Sequence, residues 1–346
     1  MSGRTRRRID GLASTIGIPP SRSIPIPITK TMTITMTMTL PIARLLLIVL
    51  PMLGTTTVLA ETPADATVDA QRSWVAEFSG AGQADAGVRS SPEQRAEAAA
   101  WLASHLEALN LAARRHDYRL PNVNGLVDLL MPPLQGVNVY AVVEATVPDA
   151  PVVVIGAHYD SEPGSPGAGD NAAGVALVLT LARWLQEPEH RTRDVYLVFF
   201  DQEEDDEVGS RAFARHLHRE GLEVDSVHVT DLSGWDDDGD GVVEIQSPPP
   251  RLEARYRRAA DRLGIPLRVT TGGSSDNKSF LAAGLPTVGV FGDVTRHLHR
   301  PTDTLETVDF EYLRRMTLLI HEAVSQLPAP ATREGAPSTH RQEARE

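Results

Sequence analysis

Between residues 90 and 327, short unbroken apolar runs alternate with stretches of helical period. No other feature of the chain constrains its fold as tightly. "NVYAVVEAT", "PVVVIGA", "DVYLVFF", "SVHVTDL" and "PTVGVFG" are β-branched or aromatic runs, and each predicts a strand. "SPEQRAEAAAWLASHLEALNL" offers Ser91 as an N-cap and Pro92 at the first helical position, with Ala98, Leu102, Leu106 and Leu109 at helical spacing. "AAGVALVLTLARWLQ", "GSRAFARHLHRE", "PRLEARYRRAADRLG" and "DFEYLRRMTLLIHEAVSQL" predict further helices. Strands that take turns with helices build an α/β fold: a mixed, mostly parallel central sheet with helices on both faces. Runs without polar interruption belong to strands covered on both sides.

In such sheets, ligands sit beyond the carboxyl ends of the strands. Here those ends carry the polar chemistry. "VVVIGA" runs into His158 and Asp160, "DVYLVFF" into Asp201, Glu203 and Glu204, "SVHVTDL" delivers Asp231, and "PTVGVFG" precedes His297 and His299. Adjacent carboxylates repel and are costly to desolvate, so a cation among them gives the cluster a reason. The chain has no cysteine, which excludes disulfides, thiolate ligands and a cysteine nucleophile. A metal must therefore be held by His, Asp and Glu. Zinc accepts imidazole nitrogen and carboxylate oxygen, and a pair of ions needs a shared carboxylate with further ligands on each side. His158, Asp170, Glu204, Asp231 and His299 supply such a set. Glu203, on a turn beside a ligand, is placed to take a proton from an attacking water and pass it to a leaving amine. Asp170, with a glycine before it and a helix after it, also reads as an N-cap.

"GAHYDS", "GAGDNAAG", "EEDDEVGS", "TDL", "SDNKSF" and "HRPTDT" occur in that order. Together they resemble the co-catalytic zinc aminopeptidases of metallopeptidase clan MH, peptidase family twenty-eight, whose relatives include secreted leucyl-type aminopeptidases and glutamate carboxypeptidases. The resemblance runs from about residue 90 to residue 327. Each motif is weak alone; the ordered set of six is specific. It implies a zinc-exopeptidase fold with two Zn²⁺. It further implies that His158 ligates one zinc, that Asp160 orients this histidine, and that Asp170 bridges both ions, its bond to Asn171 being the family's cis peptide. Glu203 is then the general base and Glu204 a ligand of the second zinc. Asp231 joins His158 on the first, and His299 completes the second. His297 competes for that place, but "HRPTDT" matches the family's "HTPxDT" with His299 in register. His190, His216, His218, His228 and His321 read as surface or packing residues. Two departures stand out. Leu298 occupies a position where many relatives carry an oxyanion-stabilising tyrosine, and Ser275, Asp276 and Asn277 replace "SDH". No oxyanion donor is assigned.

A zinc-dependent aminopeptidase acting on peptides is the leading expectation. A glutaminyl-peptide cyclotransferase with one zinc and a non-catalytic binding domain are the alternatives. Both ends of the chain differ from its body. Residues 1–60 hold seven basic residues and one acidic residue, and residues 61–346 carry a net charge of −19. A body that acidic argues against nucleic acid as a partner. Arg44 precedes the apolar stretch 45–53, and Val58 and Ala60 stand at the −3 and −1 positions of a cleavage site. This predicts a signal peptide cleaved near Ala60 behind a low-complexity leader, and a secreted or periplasmic protein with no stable membrane span after cleavage. Residues 61–327 are expected to form one zinc-peptidase domain, and 328–346 a disordered tail. "DDDGDGVVE" adds a candidate Ca²⁺ loop at Asp236, Asp238 and Asp240, with Gly241 at the turn but Ser247 where a calcium loop ends in glutamate.

Overall fold

Eight strands form one sheet in the computed structural model, which describes residues 68–81, 87–121, 134–147, 150–272, 275–325 and 327. The expected leader, the cleavage site near Ala60 and the C-terminal tail lie outside the described residues. The strands are β1 (Arg114–Leu120), β2 (Leu134–Val143), β3 (Val152–His158), β4 (Asp194–Phe200), β5 (Val224–Asp231), β6 (Val243–Gln246), β7 (Leu267–Thr270) and β8 (Thr287–Phe291). Their order is β1-β2-β4-β3-β5-β8-β6-β7. β4, β3, β5 and β8 run parallel at the centre, β2 and β6 join antiparallel on either side, and β7 runs parallel to β6. The mixed, mostly parallel sheet expected from the alternating pattern is what the chain builds.

Helices α1 (Val68–Phe78), α2 (Pro92–Ala108), α3 (Ala173–Trp184), α4 (Val208–Arg219), α5 (Pro250–Leu263), α6 (Asn277–Ala282) and α7 (Phe310–Ser325) cover the sheet. Successive strand residues point to opposite faces, and the core divides accordingly. Val153, Ile155 and Ala157 of β3, with Val195, Leu197 and Phe199 of β4, pack with residues of α1, α2, α3, α5 and α7. Val152 and Val154, with Val198 and Phe200, pack with Phe213, Ala214 and Leu217 of α4 and Phe280 of α6. α2 begins where Ser91 and Gln94 exchange bonds: Gln94 N–H donates to Ser91 Oγ (3.2 Å), and Ser91 N–H to Gln94 Oε1 (2.9 Å).

Three strands escaped the sequence reading. β1, "RRHDYRL", is polar, with one face exposed and only alternate residues buried. β6 and β7 hold four residues each, too few to show a period. What matters for the site is β3, which lies between β4 and β5. After β3 the chain passes to β4 on one side and from there to β5 on the other, opening a crevice at the carboxyl ends of these strands.

Candidate metal centre

β3 ends in buried His158, with buried Asp160 two residues on. The chain then loops to Asp170, whose peptide bond to Asn171 is cis. Asp170 faces two ways. Its Oδ1 lies 3.1 Å from His158 Nε2 and its Oδ2 lies 3.2 Å from His299 Nε2. The other carboxylates divide between the same two imidazoles. Asp231 Oδ1, at the end of β5, is 3.3 Å from His158 Nε2, and Glu204 Oε2, after β4, is 3.3 Å from His299 Nε2. Two sets of one imidazole and two carboxylates therefore share Asp170. Two ligand atoms on one tetrahedral ion with bonds of about 2.0–2.1 Å stand about 3.3 Å apart, so donor type and spacing both fit divalent ions of zinc's ligand chemistry. Glu203 stays within reach: one of its oxygens lies within 4.8 Å of ligand atoms of His158 and Glu204.

Supporting bonds fix these side chains. The Asp160 carboxylate accepts the N–H groups of Glu203 (3.0 Å) and Glu204 (3.2 Å), tying the turn after β4 to the end of β3. His158 Nδ1 lies 3.2 Å from the Asp160 carbonyl and 3.6 Å from its carboxylate. The contact at hydrogen-bonding distance to the imidazole is thus the backbone oxygen, while the carboxylate serves the two glutamates. Asn171, rather than Asp170, makes the cap-like bond to the following helix, its Oδ1 accepting Gly174 N–H at 3.0 Å. Both Asp170 oxygens are left for the histidines. Asp303 accepts Gly169 N–H (2.7 Å) and Asp170 N–H (3.1 Å), a role the sequence reading missed although "HRPTDT" was in view. Gln202 and His299 both take left-handed backbone with φ 57°, uncommon for residues with a side chain, immediately beside or within the cluster.

Burial and like charge dominate the electrostatics. Burial, reinforced by Asp231, Asp276 and Asp160 against the opposing His158 charge, pushes Glu203 up to about 10. Burial and the neighbouring Asp170 push Glu204 to about 9. His158 goes the other way from what burial favours: the Asp231 charge, with the nearby carboxylates of Asp160, Asp170 and Asp231, holds it well above the usual imidazole range. Burial opposes charge on Asp170, yet bonds to His158 and His299 keep it below the usual carboxylate range. The site is short of positive charge, which is the condition a divalent ion corrects.

The cluster opens into a cavity of about 490 Å³ lined by Glu162, Asp170, Glu203, Glu204, Asp206, Glu207, Asp231, Leu232, Phe291, Val294, Leu298 and His299. The His299 side chain is 47% exposed, so the cluster is reached from this side. His297 turns away, its Nδ1 lying 3.0 Å from Thr302 Oγ1. Leu298 sits in the cavity wall, and this described lining contains no tyrosine. His190, His216, His218, His228 and His321 are outside the lining; His228, for one, is buried with Nδ1 2.8 Å from Tyr256 Oη. At the candidate calcium loop, the carboxylates that approach one another are Asp236, Asp238 and Asp293. Asp240 instead accepts Val242 N–H at 2.8 Å, and Asp236 accepts Gly241 N–H at 3.2 Å.

The profile of "Peptidase family M28" matches residues 138–324, more than half of the chain. The chain belongs to peptidase family M28. Among M28-like relatives, the aminopeptidase YwaD of Bacillus subtilis is 31% identical over 196 residues, covering 52% of this chain and 43% of that protein. The match therefore spans less than half of that relative's length. In fold, this M28 chain is similar to BSAP, a zinc aminopeptidase from Bacillus subtilis, with a TM-score of 0.65 and 17% identity over 75% of this chain and 94% of that one. It is also similar to a glutaminyl cyclase from Bacteroides thetaiotaomicron, with a TM-score of 0.63 and 17% identity over 76% and 98% of the two chains.

Proposed function

We propose that this chain is an exported zinc-dependent aminopeptidase that removes N-terminal residues from peptides. The observation that carries the reading is the charge of the cavity. Seven carboxylates line it (Glu162, Asp170, Glu203, Glu204, Asp206, Glu207 and Asp231), with no lysine or arginine among the described lining residues; Glu162, Asp206 and Glu207 lie outside the metal and base set, and Glu207 pairs with Lys278. A peptide's terminal ammonium is attracted to such a wall, and a terminal carboxylate is repelled. That favours cleavage at the amino end over the carboxyl end. Leu232, Phe291, Val294 and Leu298 supply an apolar wall for a side chain.

In this reading His158, Asp170 and Asp231 would hold one zinc, and Asp170, Glu204 and His299 the other. Zinc bound there would supply a water of lowered pKa and a Lewis acid for the scissile carbonyl. Glu203 accepts the proton of the attacking water and delivers it to the leaving amine. Asp160 holds the Glu203 and Glu204 N–H groups, so base and ligand keep fixed and different directions. Export rests on the expected signal peptide. Among the described residues, no helix is long and apolar enough to cross a membrane.

The test compares aminoacyl-nitroanilides that carry a free amine with N-acetylated counterparts, with and without chelator, together with metal analysis. Hydrolysis of free-amine substrates only, abolished by chelator, with two zinc per chain, is the expected result. Cleavage of C-terminal residues instead sinks the aminopeptidase reading. One zinc per chain with cyclisation of N-terminal glutamine supports the cyclotransferase alternative, whose fold the Bacteroides enzyme shares.

A further inference from the structure

Arg89 is a buried cation with no part in the chemistry above. Its guanidinium donates to backbone carbonyls from separate stretches of chain: Nε to Tyr159 (2.6 Å), Nη1 to Phe78 (3.3 Å), Pro166 (2.8 Å) and Gly87, and Nη2 to Gly167 (3.0 Å). Its backbone joins the same loop. Arg89 N–H donates to Ser161 Oγ (3.0 Å), and Ser161 Oγ donates to the Ser165 carbonyl (3.0 Å). Tyr159 directly follows His158, and Gly167 stands shortly before Asp170. One planar fork thus grips both ends of the loop between two residues whose side chains lie 3.1 Å apart. Gly167 marks how close the approach is: at φ 60°, a Cβ there would stand 2.5 Å from Arg89 Nη2. The charge suits its surroundings as well. Burial pushes the Arg89 guanidinium down to about 10, and the anions that oppose this are Asp303, Asp160, Asp170 and Glu204, all at or beside the cluster.

We infer that Arg89 is a positioning residue for the metal centre: its fork sets the spacing of His158 and Asp170, and through the Phe78 carbonyl it makes the end of α1 part of that support. The inference rests on the zinc reading above. Arg89→Lys is the sharp variant, because a lysine keeps the charge but offers a compact ammonium that cannot span these carbonyls. Zinc affinity of the full chain is measured by competition with a chelating dye, beside near-UV circular dichroism and steady-state kinetics at saturating zinc. In folded Arg89→Lys and Arg89→Gln, zinc binding weakens by about tenfold or more, the scale of losing a group that orients ligands. KM at saturating zinc stays within about twofold, since the residue does not touch substrate. Wild-type zinc affinity in either folded variant overturns the inference. Restoration by Lys of what Gln loses also overturns it, because charge alone then suffices. Should both variants unfold, Ser161→Ala decides, since it removes the Oγ that accepts the Arg89 N–H and donates to the Ser165 carbonyl and so frees the loop from Arg89's backbone: affinity about tenfold weaker supports the inference, and unchanged affinity overturns it. A wild-type protein that binds no zinc overturns the metal reading along with this one. Zinc binding by wild type with unaffected variants overturns only this one.

Discussion

Glu203 and Glu204 are neighbours in sequence with the same side chain, yet the fold gives them different surroundings. Both give their N–H to Asp160 and both line the cavity, but the Glu204 carboxylate is engaged, reaching His299 at 3.3 Å and accepting Glu162 N–H at 3.1 Å. Glu203→Gln is therefore expected to retain two zinc per chain while kcat falls by about 10²–10⁴, the range for a lost general base. Steady-state kinetics and metal analysis on one preparation check this, and loss of a zinc from that variant would exchange the two roles. Asp303 yields a second prediction at this scale. Asp303→Ala leaves the Gly169 and Asp170 N–H groups without their buried acceptor, at a cost of about 1–3 kcal/mol each. The urea midpoint should fall, and zinc affinity with it. A midpoint within error of wild type would show that water satisfies both groups.

At the scale of elements, the turn from β4 to α4 is the part that must stay rigid. Asn138 of β2 spans it, accepting Asp201 N–H through Oδ1 (3.0 Å) and donating to the Gly209 carbonyl through Nδ2 (2.8 Å). Tyr118 of β1 holds its middle by donating to Gln202 Oε1 at 2.9 Å. Asn138→Ala is expected to lower kcat by about tenfold with KM within about twofold, because small displacements of a reacting group are costly while substrate contacts survive. An equal rise in KM would instead point to a collapsed cavity wall. β1 therefore contributes to the site, although its polar pattern hid it from sequence reasoning. The strands β3, β4, β5 and β8 were legible because burial on both faces fills them with β-branched and aromatic residues, even where β5 carries buried Ser226, His228 and Thr230 among its valines. The short β6 and β7 exist through pairing with β8 and each other, which no local pattern records.

Across the whole molecule, the acidic cluster ties stability to pH and metal. Chiefly through burial, Glu203, Glu204 and Asp276 titrate near 10, 9 and 8 in the folded chain, far above the roughly 4 of free carboxylates. The folded form then binds more protons than the unfolded form between these limits, so stability falls as pH rises through the window. Burial holds His116 and His321 near 4 and His228 near 3, beside His216 and Arg219, His190, and Arg255 respectively. These histidines act in the opposite sense, lowering stability as pH falls, but only below their ordinary value of 6.5. Between pH 6.5 and 9 the carboxylates act without that opposition. The melting temperature of chelator-treated protein should fall across this interval, and saturating zinc should remove the slope and add about 2.7 kcal/mol for each zinc site at a hundred times its Kd. A flat or rising curve after chelation would count against the cluster as a metal site. The sequence by itself determined the α/β class and the main strands and helices, because periodicity and cap residues are local properties. It also put His158, Asp170, Glu204, Asp231 and His299 forward as one candidate set, because strand ends collect side chains at one edge of a sheet. Only the tertiary structure decided that both Asp170 oxygens face histidines, that the Asp160 carboxylate serves two glutamate N–H groups, and that Arg89 lies beneath the loop. Each of these depends on distances between segments far apart in the chain, and those distances are set by packing rather than by any neighbouring residue.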